Sequence, residues 1–424
     1  MDLFGKVSRD ERQEQCRVTW IKNKCKGSLV CPTGFGKTKT AIDCIQTVVT
    51  KRPGSRVLIV VPTDVLQRQW VASLAQRNII FSCEVVVINT VVKHSWTCDM
   101  LILDECHKYA SDLFSQVFEK VKYKMILGLT ATFERLDGKE ELIKKYCPVI
   151  DKISLQEALF NNWVSKYKEY LVLIDVDDIE VYKNLNKEFT SHFEFFNFDF
   201  DLAMKMIGKD GYKYRLAYRD KLVPSDATIE AKSEMFKAIT IHAMGFMRSM
   251  QARKAFINNH PKKIEIARQI IQARPNSKII TFSNNIKMAE SIGGGEVFSG
   301  KTSKKKGRTT MENFNLKAIG VLHTVKKVIE GLDVKGLSVA INLGLDSSEI
   351  KAIQKLGRII RFEEGKEAEM FNIVINNTAE VSWFKNSHKN SDYIIIDEQN
   401  LKRVLNKEEY SEYTKPIPKL SFRF

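Results

Sequence analysis

Residues 31 to 38, Cys-Pro-Thr-Gly-Phe-Gly-Lys-Thr, have the types and spacing of a loop that wraps phosphate. Gly34 and Gly36 remove the Cβ atoms that would hold backbone N–H groups away from phosphate oxygens. A helix opening at Lys37 would add its positive N-terminal dipole. Lys37 offers a cation for the β and γ phosphates, Thr38 a hydroxyl for Mg²⁺, and Thr33 lies in the turn itself. The general Walker A pattern opens on a glycine; Cys31 stands there instead. Downstream, Met-Leu-Ile-Leu-Asp-Glu-Cys-His at 100 to 107 ends an apolar run on two acids. Asp104 is expected to hold Mg²⁺ through its water shell, and Glu105 to orient and deprotonate an attacking water. Taken alone, two acids at a strand end also fit a helix cap. Beside a phosphate loop they become the second half of a site that hydrolyses ATP with Mg²⁺.

Such groups need an open α/β sheet, which gathers ligands at the C-terminal ends of its strands. The first third of the chain supplies one. Apolar runs at 28–31, 57–61, 85–89, 100–103 and 125–129 read as strands, with helical patterns at 37–50 and 64–76 between them. Alternation of this kind predicts a parallel, doubly wound sheet, and Val, Ile and Leu on both strand faces suit burial under helices on two sides. From 156 to 258 the pattern changes. Tyr182, Leu185, Phe189, Phe193, Phe196 and Phe200 recur at steps of three and four, which predicts one helical face, with Phe195 and Phe198 outside the stripe. A second helix is expected over 235–257. After His260 strand-like runs return at 278–282, 319–323, 339–343 and 370–375. The organisation predicted is a first α/β domain over 1–155, a helical insert or connector over 156–258, a second α/β domain over 259–396, and a charged tail over 397–424.

Composition agrees with this division. At 424 residues the chain is too long for one ordinary core, and 44% hydrophobic with 28% charged residues is a globular mixture. The formal charge of +16 and a pI near 9.3 favour a polyanionic partner, nucleic acid first among them, although a basic, well-solvated surface gives the same number. No apolar run is long enough to span a membrane. The first fifteen residues carry no apolar stretch of the secretory kind, so the expected location is cytoplasmic. All eight cysteines fall between 16 and 147 without a Cys-x-x-Cys pair, which points to reduced thiols and away from zinc.

With Asp-Glu-Cys-His at 104–107, the chain resembles the superfamily 2 helicases everywhere except 156–258 and the tail. The resemblance implies two RecA-like doubly wound parallel-sheet domains with a helical insert between them, closing on ATP. Gln13, 24 residues before Lys37 and followed by Trp20, would then read adenine. Pro62 and Thr63 in VVPTDVLQRQW, Thr90 after VVVIN, Ser283 in KIITFSNN and Thr324 in HTVKKVIEGLDVKG would meet the nucleic-acid backbone. Thr130 and Thr132 in LTATFERLDG would couple the ATP site to that track. Arg135, Asp137 and Gly138 extend the match toward DNA repair and phage branch-migration helicases. Glu330, Gly331 and Asp333 would shape a turn beside ATP. Gln354, Arg358 and Arg361 in QKLGRIIRFEEGK would reach the nucleotide from the second domain, with Lys355 where an arginine is usual. Arg358 and Arg361, three apart, share a helix face and can serve one γ-phosphate.

The activity implied is an ATP-dependent DNA helicase or translocase acting on single-stranded, forked or branched DNA in recombination, repair or replication, with 3′→5′ travel. Alternatives are an RNA helicase, although DEAD-box enzymes read Asp-Glu-Ala-Asp at the acidic box, and a translocase on duplex DNA that separates no strands. A monomer is expected, with replication or recombination proteins as companions. The compact chain suggests a phage- or virus-encoded member acting in the host cytoplasm without an N-terminal DNA-reading domain. Branch recognition is then left to the insert or tail. In the insert, Lys205, Lys209, Lys213, Arg215, Arg219, Lys221, Arg248, Arg253 and Lys254 are the expected phosphate contacts, while its aromatic face equally fits core packing.

Overall fold

A computed structural model describes residues 6–133, 138–325, 334–345, 366–389 and 392–413. The first sheet is built from β1 (Lys26–Val30), β2 (Val57–Val61), β3 (Cys83–Val87), β5 (Met100–Asp104), β7 (Met125–Thr130) and β8 (Val149–Lys152), with β4 (Trp96–Thr97) and β6 (Val121–Lys122) forming a small separate pair. Its order is β3-β2-β5-β7-β1-β8, and every pairing in it is parallel. All residues of β2, β5 and β7 are buried, as the Val/Ile/Leu runs require of strands covered on both faces. Because β7 lies between β5 and β1, the loop after β1 and the acids ending β5 flank one strand end. The run expected over 85–89 is cut short: β3 ends at Val87, and Ile88–Val91 turns as a short helix that buries Ile88 and Val91.

The second sheet contains β9 (Lys166–Ile174), β10 (Lys278–Ser283), β11 (Glu296–Phe298), β12 (Gly320–Val325), β13 (Val339–Asn342), β14 (Glu367–Ile375) and β15 (Ile394–Asp397). Its order is β11-β12-β10-β13-β14-β9-β15, again all parallel. Two expected boundaries change. The stretch 156–258 is not helical throughout: β9 lies inside it and pairs with β14 and β15, so the helices that follow are held within the second α/β domain. Nor does that domain stop at 396. Helix Glu398–Asn406 buries Leu401 and Val404, and the Tyr410 ring lies 6.3 Å from Tyr170 of β9.

Between β9 and helix Pro261–Ala273 stands a helical arm made of Ile179–Glu194, Phe200–Ile207, Gly211–Leu222 and Ile229–Asn259. The last of these has 31 residues and is therefore about 46 Å long. The single aromatic stripe expected from Tyr182 to Phe200 is broken. Asn197 and Phe198 adopt positive φ of 52° and 57°, ending one helix before Phe200 starts the next. Phe189, Phe193 and Phe196 pack around Phe246 as the arm's own core. Tyr182 sits at the root, where its hydroxyl accepts from Ala379 N at 2.9 Å. Helix Pro261–Ala273 is pinned to the sheet by Lys263, which is fully buried with Glu380 and also donates to Leu343 O at 3.1 Å. Glu380 Oε2 accepts from Ile375 N at 3.1 Å, so the pair's remaining valences are partly met. No helix among the described residues is long and apolar enough to cross a membrane.

Candidate active site

The phosphate loop leaves the end of β1 with Gly34 at φ 92° and Gly36 at φ 102°, values that L side chains rarely adopt. Gly36 is also the N-cap of helix Lys37–Lys51. A Cβ there would lie 2.5 Å from Gln13 Nε2, so the loop's shape depends on glycine twice over. Lys37 Nζ donates to Cys31 O at 3.1 Å, which folds the cation over the loop. Thr33 and Thr38 are half-buried at its two ends.

Gln13 comes from helix Arg9–Lys22, whose start is fixed by a capping box between Ser8 and Glu11. The side chain is 2% exposed, donates to Phe35 O at 2.8 Å, and accepts from Lys39 Nζ at 2.7 Å. Lys39 is shared with Asp10 at 2.8 Å. Gln13 therefore grips the loop from outside, and Phe35 is wedged edge-on against Trp163 at 5.4 Å.

The two acids end β5. Asp104 is 6% exposed; its Oδ2 accepts from Trp70 Nε1 at 2.8 Å and its Oδ1 from Glu105 N at 3.1 Å. Burial, reinforced by the neighbouring Glu105 carboxylate, pushes the Asp104 carboxyl up to about 6, while Trp70 and Lys37 pull the other way. Glu105 sits at φ 51°, ψ 52°, a left-handed conformation uncommon outside glycine. Its Oε2 is buried without a hydrogen bond, 3.5 Å from His107 Nδ1. His107 Nδ1 is 2.9 Å from Thr130 Oγ1, and Thr130 donates its one hydroxyl proton to Thr132 O at 2.6 Å. With that proton committed, His107 donates from Nδ1. Thr130 and Thr132 thus connect physically to the acidic box, through a histidine whose role the sequence left unassigned. Trp70 was missed as well; its indole is the donor that holds Asp104.

The donor set fits a magnesium-bound nucleotide. A buried carboxyl short of positive charge, an unpartnered acid oxygen, a lysine and a loop open to phosphate meet at one strand edge. Thr38 and Asp104 are the residues that would hold Mg²⁺.

Asp104 gives a pH test of the ligand-free protein. Its folded value lies above its ordinary one of 3.8, so the folded state keeps the proton more tightly. Its contribution to stability should fall as pH rises from about 4 through 6 and then level off, by roughly 3 kcal/mol in all. Thermal melts across pH 4 to 7 should show this dependence in the wild type and lose it in Asp104→Asn. Parallel curves for the two proteins would mean that the carboxyl titrates normally.

Comparison with known proteins then decides the family. The model for "Type III restriction enzyme, res subunit" matches residues 6–91 and 87–135, and that for "Helicase conserved C-terminal domain" matches 262–363. The DNA 3′-5′ translocase XPB2 of Sulfurisphaera tokodaii is 27% identical over 402 residues, covering 89% of this chain and 84% of its own. The chain belongs to superfamily 2 of the helicases. A protein of Acanthamoeba polyphaga mimivirus, provisionally named an ATP-dependent RNA helicase, is 25% identical over 80% of this helicase and 58% of its own length. The Pyrococcus furiosus Hef helicase domain shares the fold, with a TM-score of 0.52 at 18% identity over 89% of this helicase and 97% of that chain.

The expected nucleic-acid residues of the helicase are placed unevenly. Pro62 and Thr63 lie half-buried at the end of β2, where Thr63 caps helix Asp64–Gln76 by accepting from Leu66 N at 3.4 Å. Thr90 is exposed on the short helix after β3. Ser283 ends β10 at 2% exposure. Thr324 does not offer its side chain to a phosphate: it is fully buried and donates to Thr281 O at 2.8 Å, because β12 is flanked by β10 and β11. Several arm cations are also corrected. Arg253 is 5% exposed, stacked 4.1 Å over the Phe189 ring. Arg215 donates to Met206 O, and Arg219 binds Asp220 at 2.6 Å. Lys205, Lys209, Lys213, Lys221, Arg248 and Lys254 remain exposed. Arg135, Asp137, Glu330, Gly331, Asp333, Gln354, Lys355, Arg358 and Arg361 lie outside the described residues.

Proposed function

We propose that this helicase is an ATP-driven motor on DNA that unwinds or branch-migrates duplex or branched substrates in recombination, repair or replication. The observation that carries the ATPase half is the joining of Lys37, Asp104 and Glu105 at one sheet edge, with Gln13 bracing the loop. DNA is favoured over RNA because the translocase named for DNA matches over most of both chains.

In this reading Lys37 leaves Cys31 O to neutralise the β and γ phosphates, and backbone N–H groups of the glycine loop bind the same oxygens. Thr38 and Asp104 would hold Mg²⁺, which would supply charge neutralisation on those phosphates. Glu105 accepts a proton as the water oxygen bonds to the γ-phosphorus and the bond to the leaving ADP oxygen breaks. By the resemblance, Arg358, Arg361, Gln354, Gly331 and Asp333 serve the nucleotide from the second domain. Closure and release of the two domains move Pro62, Thr63 and Thr90 against Ser283 along a strand.

The test is ATPase stimulation by single-stranded, duplex, forked and four-way DNA and by RNA of matched length. Forked or four-way DNA should give the largest rate at low ionic strength, with half-saturation rising steeply with salt. Stronger stimulation by RNA than by any DNA would transfer the motor to RNA. Stimulation by duplex without strand separation would make it a duplex translocase.

A further inference from the structure

The root of the helical arm touches the loop through which the second domain is expected to hold nucleic acid. Asn258 and Asn259 close helix Ile229–Asn259, while Ser283 ends β10 and Asn284 and Asn285 lead into helix Ile286–Ile292. Asn284 Nδ2 donates to Asn258 Oδ1, and Asn285 Nδ2 donates to Asn259 Oδ1 at 2.7 Å. The direction of the second bond is set independently. Asn285 Oδ1 is committed to Met288 N at 2.8 Å as the cap of its helix, so its amide nitrogen faces the arm and Asn259 answers with oxygen.

Asn284 is confined from the other side. Its side chain lies over Gly344, where a Cβ would come within 2.5 Å of Asn284 Cγ. Ser283 Oγ and Asn284 Oδ1, adjacent in sequence, are both buried without a hydrogen-bond partner, an arrangement that costs stability unless a ligand uses it. The arm root is itself firmly seated. His260 Nε2 meets Asp178 Oδ1 at 2.9 Å, Lys262 meets Glu398 at 3.1 Å, and Tyr182 is held by Ala379 N. Movement of the arm therefore has a stiff path to 283–285.

We infer that Asn258 and Asn259 are positioning residues: the arm root fixes the 283–285 loop, whose Ser283 Oγ is buried at rest, so that load on the arm sets the second domain's grip on a nucleic-acid phosphate. This rests on the motor function proposed above. Neither asparagine touches nucleotide or strand; each acts through its partner.

The experiment measures ATPase against single-stranded DNA concentration. Wild-type stimulation is read first, and its absence would overturn the motor function, and this inference with it, before any variant is compared. In N258A/N259A, half-saturation should rise about fivefold, the share that one net hydrogen bond contributes, while basal and maximal rates and the melting temperature stay near wild type. Gly344→Ala, which displaces Asn284 from behind, should move half-saturation the same way. Asn285→Ser keeps a capping oxygen for Met288 N but offers Asn259 no amide. It should reproduce the shift of N259A, and combining the two should add nothing. Unchanged half-saturation in N258A/N259A, an additive pair, or a fall in maximal rate together with melting temperature would each overturn the positioning role.

Discussion

Lys37→Ala should abolish ATP turnover, by at least about 10³-fold, and leave the fold standing. The lysine is half-buried and gives the protein one hydrogen bond of its own, to Cys31 O, so its removal subtracts little from stability. What it removes is the cation nearest the loop that is aimed at phosphate. Glu105→Gln should separate binding from chemistry. Glutamine keeps the length of the side chain and the left-handed backbone at 105 but cannot take a proton. Nucleotide should stay bound while hydrolysis falls by about 10² to 10⁴. Steady-state ATPase and binding of a fluorescent nucleotide check both variants. Near wild-type turnover in either one would move the active site elsewhere.

The second large effect should come from the other domain. Arg358→Ala and Arg361→Ala should bind nucleotide almost normally and hydrolyse it up to about 10³ to 10⁵ times more slowly, the range an arginine finger supplies. The two side chains are three apart, so each can partly stand in for the other. The double variant should then be the more severe. DNA-stimulated single-turnover hydrolysis is the readout, because in the mechanism proposed above stimulation acts through closure of the two domains. Normal hydrolysis in the double variant would remove both arginines from the site.

What could be read in the sequence was the chemistry that is local. The glycine loop and Asp104–Glu105 are contiguous segments at strand ends, and apolar β runs fix where those ends fall. The indole that steadies Asp104 could not be read, since Trp70 is 34 positions away and meets the carboxylate only after a helix is laid across the sheet. His107 is similar: its partner Thr130 is 23 positions on, brought near because β7 pairs with β5. Thr324 failed in a different way. Its motif position was legible, but its burial depends on which strands flank β12, and one of them, β10, is not the strand before it in the chain. Among the arm cations, helical spacing could not separate Lys213, which is exposed, from Arg253, which lies over Phe189. β9 carries an apolar run, Tyr-Leu-Val-Leu-Ile at 170–174, but it stands far from the other strands of its sheet in the chain, and the helices after it dominate the local pattern.

The place of β9 also bears on how the chain is made. The first sheet is complete once Lys152 has been synthesised, and even its longest pairing, Ser28 with Val149, closes within that first stretch of chain. β9 has no such option: its partner β14 is about 200 residues away, and its other neighbour, β15, comes later still. On the ribosome, one domain can therefore fold while a long apolar strand of the other waits with both edges unpaired through synthesis of the whole arm. The arm, with its own core of Phe189, Phe193, Phe196 and Phe246, can condense in that interval and shorten the effective loop that β9 must close. A transcript cut short before residue 394 would release a product with a folded ATP-binding half and one exposed strand edge, a species primed for aggregation and proteolysis.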